Sequence, residues 1–204
     1  MKVLIIGSNG SIGKRYCAIL KSLKVDYITY DNLQGSFESL KAQHDGDFDA
    51  AIICTPTEHH IEYVKGLISL RKVFLCEKPL SKFLVDCEEV KEYKNGYVVC
   101  NYKYIADKYK PPYSIFYDYY NTGMDGILWD ACQLLYLDPN CNLSISSPKW
   151  NLVINENWIR YRELEDSYVR MLKDFVKGKY ENLWTLEDGY KMTQAVLMAY
   201  ERTK

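Results

Sequence analysis

The sequence predicts an α/β protein in which a doubly wound parallel sheet is followed by a smaller α+β second domain. Three observations predict it. Short apolar runs alternate with helix-period segments up to about residue 103. Three glycines, Gly7, Gly10 and Gly13, follow the first of those runs directly. The stretch "DKYKPPYS" then breaks the periodicity with charges and two prolines, so the domains are expected to be residues 1–104 and 105–204.

In chain order, the expected strands are Lys2–Ile6, Asp26–Tyr30, Asp49–Cys54, Val73–Glu77 and Tyr97–Asn101. Their dense Val, Ile, Leu, Phe and Cys content suits strands covered on both faces. Crossover helices fit at Ser11–Leu23, Phe37–Gln43, Glu58–Leu70 and Leu84–Lys94. After the boundary come a helix over Tyr113–Asn121, a glycine-punctuated turn, the apolar segment "ILWDACQLLYL", a short β region within Leu143–Ile159 and two C-terminal helices. Thr185 is placed to cap the last helix, with Glu187 and Asp188 in its positively polarised first turn.

Bulk properties narrow the partners. A net charge of −1 over 204 residues gives no broad attraction for nucleic acid or for an anionic membrane, so small-molecule or protein partners are favoured. The seven cysteines form no CxxC pair and lie mostly in apolar runs, which with their odd number indicates reduced thiols in the cytoplasm. The five-residue apolar run near Met1 is too short for a signal-peptide core or a bilayer span. Ten of the nineteen tyrosines fall between Tyr93 and Tyr136, a composition suited to half-buried, amphipathic surfaces.

The glycine turn is the first chemical signal. Glycines after a strand and at the start of a helix let the backbone turn sharply and approach a pyrophosphate, whose charge the helix's free amides attract. The spacing in "GSNGSIG" is GxxGxxG. The second expected strand ends at Asp31, 18 residues after Gly13, where a carboxylate can accept from the ribose hydroxyls and repel a 2′-phosphate. That favours NAD, while Lys14 and Arg15 keep NADP open.

The third and fourth strand ends border the same rim. "CTPTEHH" places Thr55 and Pro56 there, and adjacent histidines on a helix point apart, so His59 and His60 make a poor metal pair and no metal is expected. "CEKP" ends an apolar run on two charges before a proline. At such a rim Lys78 can hydrogen-bond a substrate hydroxyl, act as acid or base, or hold a carboxylate.

Taken together, "IIGSNGSIGKRY", "IICTPTEHHIEYV" and "VFLCEKPLS", in this order and spacing, resemble the Gfo/Idh/MocA family of nicotinamide-dependent oxidoreductases, which includes glucose-fructose oxidoreductase, inositol dehydrogenase and biliverdin reductase. The resemblance covers residues 1 to about 103 closely. It implies a Rossmann-type first domain holding the dinucleotide through Gly7, Ser8, Asn9, Gly10, Ser11, Ile12 and Gly13. Asp31, Asn32, Cys54, Thr55, Pro56, His60, Glu77, Lys78 and Asn101 complete the expected cofactor set. It further implies that Lys78 lies beside nicotinamide and substrate, with Asp130, Tyr102 and Lys103 as further catalytic candidates.

The second half departs from the family. "TGMDGILWDACQLLYLD" resembles the segment leading into a D-x-x-x-H signature, with Asp130 at the aspartate but Leu134 at the histidine and Gln133 as the nearest polar side chain. The family's larger open sheet, used for substrate binding and dimerisation, has room here only in shortened form, and the family's habit implies a homodimer through it. The leading expectation is an oxidoreductase exchanging hydride between NAD(H) and a small hydroxylated or carbonyl substrate of sugar or cyclitol type. The alternatives are a dinucleotide-binding regulator without catalysis, and a biliverdin-reductase-like enzyme that needs no imidazole.

Overall fold

A computed structural model describes residues 1–31, 36–44, 46–119, 123–145 and 151–203. The chain divides into two compact units. The first comprises Met1–Val99 and Leu172–Tyr190, the second Cys100–Met171 and Lys191–Lys204.

The first unit is built on five parallel strands: β1 (Lys2–Ile6), β2 (Asp26–Tyr30), β3 (Ala50–Ile53), β4 (Val73–Cys76) and β5 (Gly96–Val98). Helices α1 (Ser11–Ser22), α2 (Phe37–His44), α3 (His60–Ser69) and α4 (Leu84–Val90) connect them, with a 3-10 turn over Thr57–His59 ahead of α3. The spatial order is β2-β1-β3-β4-β5. The chain therefore crosses from one side of β1 to the other between β2 and β3, which opens a crevice at the carboxyl ends of β1 and β3. Val3 to Ile6 and Ala50 to Ile53 are all fully buried, as strands covered on both faces must be.

The fifth strand is shorter than the sequence reading gave it. The Val99 amide bonds the Cys76 carbonyl, and there β4 ends, so β5 has nothing further to pair with on that side. Asn101 instead opens a short helix, α5 (Asn101–Ala106), which makes Asn101, Tyr102 and Lys103 helical.

In the second unit the expected helix over Tyr113–Asn121 is replaced by a strand, β6 (Ile115–Asp118). Ile115 and Tyr117 are buried while Phe116 between them is half-exposed. This is the period of a strand, and branched and aromatic side chains fit a pleated surface. "ILWDACQLLYL" folds as two short helices, α6 (Met124–Asp130) and α7 (Cys132–Leu137). The β region supplies β7 (Asn142–Ser144), β8 (Asn151–Ile154) and β9 (Asn157–Trp158), giving a four-stranded sheet in the order β7-β6-β8-β9.

The chain ends with α8 (Tyr161–Val176), a two-residue strand β10 (Trp184–Thr185) and α9 (Leu186–Arg202). Strand β10 lies antiparallel on β5, pairing Trp184 with Val98 and Thr185 with Tyr97. The sequence predicts all of 105–204 as the second domain; the outer edge of β5 instead draws residues 172–190 to the first unit. Thr185 caps α9 reciprocally. Its hydroxyl accepts from the Asp188 amide at 3.3 Å, and the Asp188 carboxylate accepts from the Thr185 amide at 2.7 Å. Among the described residues no helix is long and apolar enough to cross a membrane.

Candidate functional site

The turn from β1 to α1 has two glycines that the fold itself requires and one that it does not. Gly7 has φ +89°, and a Cβ there would stand 2.7 Å from the Cys54 carbonyl oxygen. A Cβ on Gly13 would stand 2.2 Å from the Gly7 carbonyl oxygen. Both positions are closed to any side chain. Gly10, the residue before α1, would meet nothing nearer than 3.5 Å, so packing does not explain it. What Gly10 does face is a pocket of about 370 Å³.

Gly7, Asn9 and Gly10 form one wall of that pocket, Tyr30 and Asp31 a second, and Cys54, Thr55 and Pro56 a third. These are the carboxyl ends of β1, β2 and β3, at the crevice that the strand order creates. Asp31 is tied to the glycine turn, its Oδ2 accepting from the Asn9 amide at 2.5 Å. Thr55 lines the pocket, and its hydroxyl is buried without a hydrogen-bond partner among the described residues. These features fit a dinucleotide: a close backbone approach at Gly10, the N-terminus of a 12-residue helix and an acid at the ribose position.

Not every expected cofactor residue lines the pocket. Ser8 and Gly13 are buried within the turn, Ser11 is exposed at the start of α1 and Ile12 is half-buried. Asn32 lies outside the described residues. Ile6, His59 and Tyr63 line the pocket, as does Tyr30, although none was among the expected residues. Tyr30 directly precedes Asp31, and Tyr63 follows His59 at helical spacing; both relations were present in the sequence. Burial, then the neighbouring Tyr30, Glu62 and Asp31, push the Tyr63 hydroxyl up to about 12, so it stays neutral.

His60 holds loops together. It is 1% exposed, with Nδ1 at 2.8 Å from the Pro79 carbonyl oxygen and Nε2 at 2.9 Å from that of Thr55. A neutral ring donates to only one of these, and burial lowers its pKa despite both carbonyls. In the unfolded chain the ring takes its proton near pH 6.5, so stability is greatest above that pH and falls as the pH drops toward the lower folded value. We expect urea midpoints measured at pH 7.5 and 5.5 to show this loss, and His60→Gln to flatten it.

Glu77 is also committed internally. It is 6% exposed, accepts from the Tyr16 hydroxyl of α1 through Oε1, and accepts from the Lys78 amide through Oε2 at 3.0 Å. The carboxylate thereby fixes the backbone of the half-buried Lys78, whose peptide bond to Pro79 is cis.

The other catalytic candidates belong to the second unit. Asp130 is half-buried and ends α6, where the helix dipole disfavours a carboxylate. Tyr117 is close to both Tyr102 and Asp130, and burial followed by these neighbours drives its hydroxyl pKa far up. The rings of Tyr102 and Tyr117 meet edge to face at 6.5 Å. Lys103 has Asp107 at 3.9 Å. Leu134 is fully buried, and so is Gln133, which bonds Asn101 and the Tyr102 amide.

The comparisons with known proteins concern the sequence of the first unit and the fold. Residues 18–100 match the model described as "Oxidoreductase family, NAD-binding Rossmann fold", named GFO_IDH_MocA. Over those residues the chain resembles the Gfo/Idh/MocA oxidoreductase family. The chain is also 37% identical over 68 residues to an uncharacterised oxidoreductase, YrbE, of Bacillus subtilis, a stretch spanning 33% of this chain and 18% of that relative. Two solved dehydrogenase structures share the fold. A myo-inositol dehydrogenase from Corynebacterium glutamicum superposes with TM-score 0.74 at 12% identity, covering 98% of this chain and 96% of that one. The WlbA dehydrogenase from Thermus thermophilus, solved with NAD and UDP-GlcNAcA, gives TM-score 0.69 at 10% identity, covering 98% and 94%.

Proposed function

We propose that this chain is an NAD-dependent oxidoreductase exchanging hydride with a small hydroxylated or carbonyl substrate of sugar or cyclitol type. The observation that carries the reading is the pocket at the ends of β1, β2 and β3, with its sterically unexplained glycine, its acid and its unpartnered Thr55 hydroxyl. Bound NAD supplies the hydride chemistry. Gly7, Asn9 and Gly10 hold the phosphates, Asp31 the ribose hydroxyls, and Thr55 and Pro56 flank the cofactor. Lys78 gives or takes the proton, or polarises the carbonyl, and Asp130 orients the substrate with Tyr102 and Lys103 as accessory donors. The protein acts in the cytoplasm and pairs through its second domain, as the family does.

Asp31 is the specificity test. Asp31→Ser removes the carboxylate that accepts from the ribose and repels a 2′-phosphate, so NAD affinity falls about tenfold while NADP affinity rises. Fluorescence titration with NADH and NADPH reads both. Equal affinities in variant and parent would remove Asp31 from the site.

One observation favours a second reading. Leu134 stands at the histidine position of the family signature and is fully buried, so that position offers no acid or base. A dinucleotide-binding regulator needs none, and a reductase passing hydride to a conjugated acceptor can take its proton from solvent. NADH binding without turnover on polyols, sugars and keto acids selects the regulator; turnover of a conjugated acceptor alone selects the reductase.

A further inference from the structure

The second unit holds a cavity of its own, about 350 Å³, formed by α6, the stretch from α7 to β7 and the last turn of α9. All of its lining residues belong to that unit, and none of the catalytic candidates is among them. Its volume falls in the range of small-molecule pockets, about 300–1,000 Å³. Most of the wall is apolar: Met124 and Leu128 come from α6, Leu135 from α7, Leu143 from β7 and Ala199 from α9. Leu128 and Leu135 are each 2% exposed and Met124 is 38% exposed, so the leucines lie at the closed end and the methionine toward solvent.

Against this apolar wall stands a single charge. Arg202, the last residue of α9, is the one charged side chain among the described residues that line the cavity. Its Nη1 donates to the Pro139 carbonyl at 3.0 Å, and Pro139 lines the same cavity, which ties the guanidinium to the rim. A guanidinium carries five N–H groups in one plane, so this bond leaves the edge formed by Nε and Nη2 for a carboxylate. Among the described residues no carboxylate pairs with it. Cys141 adds no second charge to the lining, because burial and then Asp138 hold its thiol far above the usual range. We propose that this cavity binds a small organic acid, its carboxylate on Arg202 and its hydrocarbon body along Met124, Leu128 and Leu135. The chemistry is selective. A cation is repelled by the guanidinium, a polyol sets its hydroxyls against leucine, and an alcohol of the same length fills the cavity but leaves the charge unused. Such a site works independently of the dinucleotide pocket, which lies wholly in the first unit.

The test is ¹³C methyl NMR of the full chain, with the methionine and leucine methyls assigned, titrated with octanoate, 3-phenylpropanoate, octan-1-ol and acetate. At least one of the two larger acids is expected to move Met124, Leu128 and Leu135, octanoate if the site takes an aliphatic body and 3-phenylpropanoate if it takes an aromatic one. Acetate has the charge without the body and octan-1-ol the body without the charge, so each is expected to bind at least about tenfold more weakly. Arg202→Gln should weaken the responding acid about tenfold and leave octan-1-ol unchanged. Ala199→Phe fills the cavity and should abolish the movement; if that variant does not fold, the difference between acid and alcohol in Arg202→Gln decides alone. Methyls that stay still with both acids overturn the proposal, and so does an acid whose affinity is the same in Arg202→Gln as in the parent. Methyl signals that follow protein concentration rather than added acid mean that a second copy covers the cavity, which also overturns it.

Discussion

Lys78→Ala is expected to lower turnover by about two to four orders of magnitude while NAD affinity stays within about twofold, because positioned acid–base catalysis contributes on that scale. Glu77 grips Lys78 by its backbone amide, which alanine keeps, so the link from Tyr16 through Glu77 to the loop survives while the side chain that carries the ammonium is removed. Lys78→Arg separates the two possible roles, since guanidinium keeps the charge but does not release a proton. Restored turnover in the arginine variant means Lys78 polarises the substrate; continued loss means it transfers the proton. Stopped-flow reading of NADH absorbance with parallel fluorescence titration measures both quantities, and undiminished turnover in Lys78→Ala removes the residue from the mechanism.

The second large effect separates folding from binding within a single turn. Gly13→Ala should destabilise the protein by about 3 kcal/mol, because the new methyl would lie against backbone, which cannot yield as a flexible side chain does. Gly10→Ala, three residues earlier, should change stability by no more than about 0.5 kcal/mol. Its methyl enters the pocket instead and weakens NAD about tenfold, about 1.4 kcal/mol. Urea denaturation and NADH titration on the same two variants decide the matter. A Gly10→Ala protein that binds NAD normally would show that nothing approaches that backbone closely.

Much of the first unit was legible because buried parallel strands write themselves as apolar runs, and Lys2–Ile6 and Asp26–Tyr30 fall where those runs lie. Asp31 and Thr55 were legible for a related reason: ligands collect at strand ends, and strand ends were visible. The misses have physical causes too. "YSIFYDYY" carries five aromatics in eight residues, so its period is ambiguous until β8 pairs with it. Strand β10 is two residues long, below any periodic signal, and forms only because β5 leaves an edge open. His59 and His60 are neighbours in sequence with opposite fates, one on the pocket and one between two carbonyls, and only the entry angle of α3 separates them.

The pairing of Trp184 and Thr185 with β5 also bears on synthesis. Residues 1–99 of the first unit are made before residues 172–190, so its sheet keeps a raw edge until residue 185 has left the ribosome. For that interval Tyr97 and Val98 present unpaired backbone groups of the kind that recruit foreign strands. A truncated chain ending near residue 104 would carry that edge permanently. Such a fragment, although it contains the whole glycine turn and the lysine, is expected to aggregate rather than serve as a free-standing dinucleotide-binding domain.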